Sequence, residues 1–349
     1  MDLSYFNARV KGFRGRLLRP EDYSTLLTAE SMEVYADRLR ATPYAVDIDA
    51  SWTGGLSYGL VSTALRRNLA RTFKLLWKTA PEEARPYIAP FLARWDAHNI
   101  KAIIRGIAMG ISREELEDMV IPAGTIGRAG LATLVHAKSV GDVVAFLETW
   151  SSPYGRALRR GYRTYEVKHN LIEMEVNLDI SVYSTAFEAL GGGDINAGVV
   201  TDDLRFRIDG ANVTTLLKTV GEGFSAQGLM SLYIAGGTIS PEYFGRLSGL
   251  GKRVEIIHDL IENLGGGIRK VVEEADPDDL AAIEEKVVEV AEARLARVAI
   301  TEPFSIAPAG SYIYMKVREI KNLRAIARGI AFSMPADVLG DLMRYPRLS

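Results

Sequence analysis

The chain has 349 residues, a formal net charge of −2, 48% hydrophobic and 25% charged residues, and no cysteine. That length supports two or three cores, and the composition is that of an ordinary globular protein. The small charge excludes a general basic field for nucleic acid; the missing cysteines exclude disulfides, zinc–thiolate sites and thiol nucleophiles, and suit a cytosolic protein.

The opening, MDLSYFNARVKGFRGRLL, carries charge early and has no apolar stretch of the kind a signal peptide needs. Asp47 and Asp49, followed by Trp52-Thr53-Gly54-Gly55, read as a polar helix-capping loop rather than as an acid–base pair. A helix is predicted from about Ser57 to Lys78, with Leu65, Leu69, Phe73 and Leu76 on one stripe and Ala80-Pro81 as its break. From Leu158 to Phe187 apolar or aromatic residues recur every three or four positions if His169 fills one gap. That spacing predicts a single helix about 45 Å long. Gly191-Gly192-Gly193 follows it as a hinge, not as a dinucleotide-binding turn, because no strand precedes it. The longest run without charge, Gly223 to Pro241, holds four glycines and reads as a short buried helix and turn, not a membrane span.

Gly249-Leu250-Gly251-Lys252-Arg253 resembles the end of a phosphate loop but has Arg246 where a glycine is needed and Arg253 where Ser or Thr is needed. The acidic run Glu273 to Asp279 lies at a helix start, where it favours the dipole. It precedes a helix with the stripe Ile283, Val287, Ala291, Leu295 and Val298, broken by Pro303 and Pro308. His98, His136, His169 and His258 show no metal-ligand spacing and read as structural. Asn212-Val213-Thr214 matches a glycosylation sequon by chance, inside a predicted helix. Helical periods throughout, with no sustained alternation, predict an all-α fold.

Three stretches repeat: RWDAHNIKAIIRG from Arg94, RIDGANVTTLLK from Arg207 and VREIKNLRAIARG from Val317. Each has a carboxylate three residues before an Asn, as Asp96 and Asn99, Asp209 and Asn212, Glu319 and Asn322, with a base six residues later at Arg105, Lys218 and Arg328. The Asn residues are 113 and 110 positions apart. The first two copies also share IPAGTI (Ile121 to Ile126) and IAGGTI (Ile234 to Ile239) at one offset. Arg14-Gly15 and Thr42-Pro43-Tyr44 are weaker echoes near the N-terminus. A period near 110 predicts one unit used three times.

On a helix, each carboxylate and Asn falls on the apolar side, and Arg94, Arg105, Lys218 and Arg328 fall opposite. A buried carboxylate needs a partner. The three pairs therefore read as hydrogen-bonding points that dock helices or units. The competing reading, convergence on a cation or substrate, is disfavoured by Glu319, whose length spoils an equivalent ligand shell.

Tyr5-Phe6-Asn7-Ala8-Arg9-Val10-Lys11 with Leu17-Leu18, and Arg94-Trp95-Asp96-Ala97-His98-Asn99-Ile100-Lys101, resemble the central-stalk subunit of V-type and A-type rotary ATPases, called C in prokaryotes and d in eukaryotes. The likeness runs end to end and is weakest in the second copy, where Gly210-Ala211 and Val213-Thr214-Thr215 replace charged positions. The resemblance implies a funnel of three similar helical domains with pseudo-threefold symmetry, here 1–98, 99–211 and 212–349. It implies a peripheral place on the cytoplasmic face of the proteolipid rotor ring, with the tip of the central shaft (D- and F-type subunits) received in the funnel. It implies no catalytic residue, cofactor, metal, nucleotide or nucleic acid of the chain's own. Arg94, Arg105 and Arg328 are then expected shaft contacts. A helical scaffold for another partner, and an enzyme with a site between units, are the alternatives; a period near 110 disfavours a solenoid, whose units run to about 20–50 residues.

Overall fold

Caps and breaks in the sequence set the helix ends. The computed structural model describes residues 2–51, 57–190, 193–334 and 338–339, and all regular structure among them is helical. Ser57 starts the helix Tyr58–Thr79 by accepting from the Leu60 N–H, and Asp279 starts Leu280–Thr301 by accepting from Ala282 N–H. The Ala80-Pro81 and Pro303 breaks fall just beyond the ends of these two helices. The stripe Leu65, Leu69, Phe73 and Leu76 is buried, as are Ile283, Val287, Ala291 and Leu295.

The chain divides into two compact units, one of residues 1–103, 111–136 and 308–349, the other of 104–110 and 137–307. The first joins the beginning of the chain to its last long helix, Ala307–Ala331, which lies in it from Pro308 on. There Phe13 packs on Tyr312 with ring centres 5.9 Å apart, and Phe91 meets the edge of Tyr314 at 5.8 Å. The core of the second surrounds the helix Ile195–Thr219, whose Phe206, Val213, Leu216 and Leu217 pack with Phe244, Leu260, Ile283 and Val287.

The segment expected as a single helix over 158–187 is two, Pro153–Lys168 and Ile172–Ala189. His169, at φ 53°, turns the chain in the left-handed region, and Asn170 Oδ1 accepts from Ile172 N–H at 2.8 Å. The apolar period continues through the turn, so periodicity alone cannot detect it. Gly161 lets the two helices touch at the backbone: a Cβ there would lie 2.5 Å from Met174 N. The second helix buries Met174, Val176, Leu178 and Val182, a wider face than the predicted stripe.

The Asp47 loop also differs. Asp47 sits inside a short helix, Ala45–Asp49, and caps nothing. It is buried and accepts from Asn68 Nδ2 at 2.8 Å and Arg71 at 2.6 Å, which ties its helix to Tyr58–Thr79; Asp49 pairs with Arg40. Trp52 to Gly55, and Gly191-Gly192 of the expected hinge, lie outside the described residues. The 249–253 turn is tied down by ion pairs of Lys252 with Glu255 and of Arg253 with Asp278.

Candidate functional site

The repeated residues build two copies of one local structure. The helix Arg85–Ala108 presents Asp96 and Asn99, both fully buried. Asp96 accepts from Thr125 N–H at 2.9 Å, from the Thr125 hydroxyl at 2.5 Å and from Ile126 N–H at 2.9 Å. Asn99 brackets one residue, donating to the Ile121 carbonyl and accepting from its N–H, each at 2.7 Å. The helix Ile195–Thr219 repeats each of these bonds. Asp209 accepts from Thr238 N–H at 2.7 Å, its hydroxyl at 2.6 Å and Ile239 N–H at 2.9 Å. Asn212 donates to the Ile234 carbonyl and accepts from its N–H, each at 2.9 Å. The sequence separations of 22, 29 and 30 are the same in both.

Asn carries a donor and an acceptor side by side, so it can satisfy both groups of one buried peptide. Converging donors offset the desolvation of a buried carboxylate. Gly124 and Gly237 make the approach possible: a Cβ would fall 2.0 Å from Asp96 Oδ1 and 2.2 Å from Asp209 Oδ1. Sequence reasoning matched IPAGTI to IAGGTI but gave the glycines no role; their repetition at a fixed offset from the carboxylate was the available signal.

The third copy keeps the positions and changes the chemistry. Glu319 is buried on Ala307–Ala331 and accepts from Leu18 N–H at 2.5 Å, the Tyr44 hydroxyl and Lys316 Nζ at 2.8 Å. Lys316 also donates to the Tyr44 oxygen at 2.7 Å and lies 4.3 Å from the ring centre. Leu18 and Tyr44 come from the start of the chain, 301 and 275 positions away. Burial, then the charge of Glu319, pushes the Tyr44 phenol well above its ordinary range. Asn322 is buried one turn on. Tyr35 adds a neighbouring tie, donating to the Leu323 carbonyl at 2.7 Å, and burial raises its pKa well above the ordinary value. Leu18, Tyr44 and Lys316 were missed, although Tyr44 belongs to the N-terminal echo.

The structure splits the predicted bases. Arg105 makes a two-pronged pair with Glu175 of Ile172–Ala189, which raises the guanidinium pKa further. Lys218 pairs with Glu284 of Leu280–Thr301. Arg94 is half-buried, 4.3 Å and 4.4 Å from the ring centres of Trp95 and Tyr314. Arg328 is exposed, with Phe332 as its ring neighbour at 5.9 Å. Asp96 and Asp209 each bind a loop of their own.

No helix among the described residues is long and apolar enough to cross a membrane. The sequence profile of the family described as ATP synthase (C/AC39) subunit matches residues 6–342. The chain is 30% identical to the C subunit of the A-type ATP synthase of Halorubrum lacusprofundi over 95% of this chain and 94% of that one. It is 29% identical to the corresponding protein of Methanothermobacter thermautotrophicus (93% and 83%) and 28% identical to that of Archaeoglobus fulgidus (96% and 94%). A match spanning the paired clasps, the Glu319 cluster and almost every residue between makes this chain a member of the ATP synthase (C/AC39) subunit family.

Proposed function

We propose that the chain is a non-catalytic coupling subunit of a rotary ATPase or synthase. It caps the proteolipid ring on the cytoplasmic side and receives the D- and F-type central shaft, so that shaft rotation and ion translocation are linked. Its three repeats, 1–98, 99–211 and 212–349, form a funnel about a pseudo-threefold axis. The observation that carries this reading is the clasp set. Two copies with the same donors at the same offsets support equivalent units. In the third, the N-terminal segment fills the place that a downstream loop fills elsewhere, as closure of a ring of repeats requires.

The clasps also favour mechanics over chemistry. Asp96 and Asp209 commit their oxygens to backbone and threonine donors, and rigidly packed helices transmit strain. Arg328 is the base best placed to meet the shaft, because Arg94 and Arg105 are engaged within the fold.

Membranes carrying the parent complex provide the test. Stripping this subunit should abolish ATP-driven ion uptake while the detached head still hydrolyses ATP. Adding back the chain should restore uptake. Ion uptake that is indifferent to removal and return of the chain overturns the proposal.

A further inference from the structure

We propose that the outer face of the helix Pro153–Lys168 is a docking surface for an acidic helix of a neighbouring protein subunit. The helix carries five bases, Arg156, Arg159, Arg160, Arg163 and Lys168, against one acid, Glu166, in a chain whose net charge is −2. At 100° per residue, Arg156, Arg160, Arg163 and Val167 fall within about 60° of one another, opposite the buried Tyr154 and Leu158. All four are exposed, and Val167 keeps 80% of its surface accessible.

The other sides of this helix are occupied. Gly155 and Arg159 face the helix Val140–Thr149, where Arg159 pairs with Glu148; Gly161 and Thr164 face Ile172–Ala189, where Thr164 donates to Glu173. Arg156, Arg160 and Arg163 have no ion-pair or hydrogen-bond partner among the described residues. Three like charges along one edge repel each other, and the carboxylates that flank the row, Glu148, Glu166 and Glu173, make no ion pair with any of the three. An arrangement of this kind serves a partner of opposite charge.

Guanidinium forks match carboxylates in pairs, and a 4–3 spacing over seven residues, about 10 Å, matches carboxylates at the same spacing on a helix laid alongside. Width argues against an anionic bilayer. The row is one residue across and is flanked by Glu148 and Glu166 on one edge and Glu173 on the other. A broad anionic plane would press on those carboxylates, whereas a narrow acidic ridge meets the arginines alone. The proposal goes beyond the ring-and-shaft reading, since it concerns residues which that reading gives no role.

The test uses full-length chain and membranes stripped of this subunit. The triple variant R156E/R160E/R163E should melt like the wild type, because these side chains tie nothing together within the fold. Its binding should weaken on the order of tenfold or more in low salt, and raising salt should weaken the wild type toward the variant. A photo-crosslinking benzoylphenylalanine at Val167 should attach to a protein segment with carboxylates three and four residues apart. Reversing those carboxylates to Lys should restore binding of the triple variant. Equal binding of wild type and variant overturns the docking surface alone. So does a crosslink to lipid, or an equal loss on protein-free vesicles of phosphatidylcholine and phosphatidylglycerol. A wild-type chain that ignores the stripped membranes overturns the rotary reading and this surface together.

Discussion

The clasp at Asp96 and the cluster at Glu319 occupy the same place in the repeat, yet they solve different problems. Asp96 gathers a loop 29 and 30 residues downstream, through backbone N–H groups and a threonine hydroxyl. Glu319 gathers the beginning of the chain from 301 residues away and brings a cation, Lys316, into the site. Closing a loop ten times longer costs about 2 kcal/mol more by chain entropy alone. A longer carboxylate with a buried ammonium and a phenol supplies stronger, charge-assisted bonds where the closure is harder. The repeat thus keeps a location for a buried acceptor, not a fixed set of partners.

The contrast is tested most severely by removing the carboxylate that Lys316 depends on. Glu319→Ala leaves that ammonium buried without its counter-charge and should cost about 3–5 kcal/mol. Lys316→Met with Glu319→Met removes both charges and should recover much of that loss, seen as a higher midpoint in urea unfolding. If the double variant is as unstable as Glu319→Ala, the cluster is not a compensated ion pair. The loss should appear first as release of the N-terminal segment, read by faster hydrogen exchange at Leu18.

A second set of variants tests sameness. Asp96→Asn and Asp209→Asn each replace one acceptor oxygen with a donor that faces donors, and each should cost roughly 2–3 kcal/mol. The two losses should agree within about 0.5 kcal/mol, because both carboxylates hold the same threonine and backbone donors. Gly124→Ala and Gly237→Ala should destabilise too, by roughly 1–3 kcal/mol, as the new methyl collides with the carboxylate. A loss at one clasp with none at the other would end the claim that they are equivalent, however closely their distances match.

How much of this was legible depends on where the repeat carries its own partner. In the first two copies the loop that binds the carboxylate recurs with it, so the fixed offset from Asn99 to Thr125 and from Asn212 to Thr238 was a contact written twice. No third I-x-x-G-T-I follows Asn322, and nothing local points to Leu18 or Tyr44. The helical class was legible because caps such as Ser57 and Asp279 agree with the apolar period. The turn at His169 was not, because residues on both sides keep the same spacing and the decisive event is one backbone angle. A His-Asn pair, both tolerant of the left-handed region, was the local clue, with Gly161 marking the close crossing. The partner of Arg105 was hidden for a related reason: helical geometry gave its direction, away from the core, but Glu175 lies across that turn.

A finer effect separates the two kinds of site by pH. Tyr35 and Tyr44 stand at the third site with phenols whose pKa values burial has raised. A raised folded-state pKa means that their stabilisation is complete below the unfolded value near 10 and is lost as pH rises above it. At pH 11 each such tyrosine should have given up about 1.4 kcal/mol relative to pH 8. Tyr35→Phe isolates one of them. At pH 8 the variant should be less stable than the wild type by about 1 kcal/mol, for the lost bond to the Leu323 carbonyl. At pH 11 the wild type has lost what the variant never had, so the gap should close or invert. Asp96→Asn, whose site holds no phenol among these bonds, should keep a constant gap across the same interval. Parallel pH profiles for wild type and Tyr35→Phe would mean that the phenol ionises freely in the folded chain, and the third site would then be looser than its buried geometry requires.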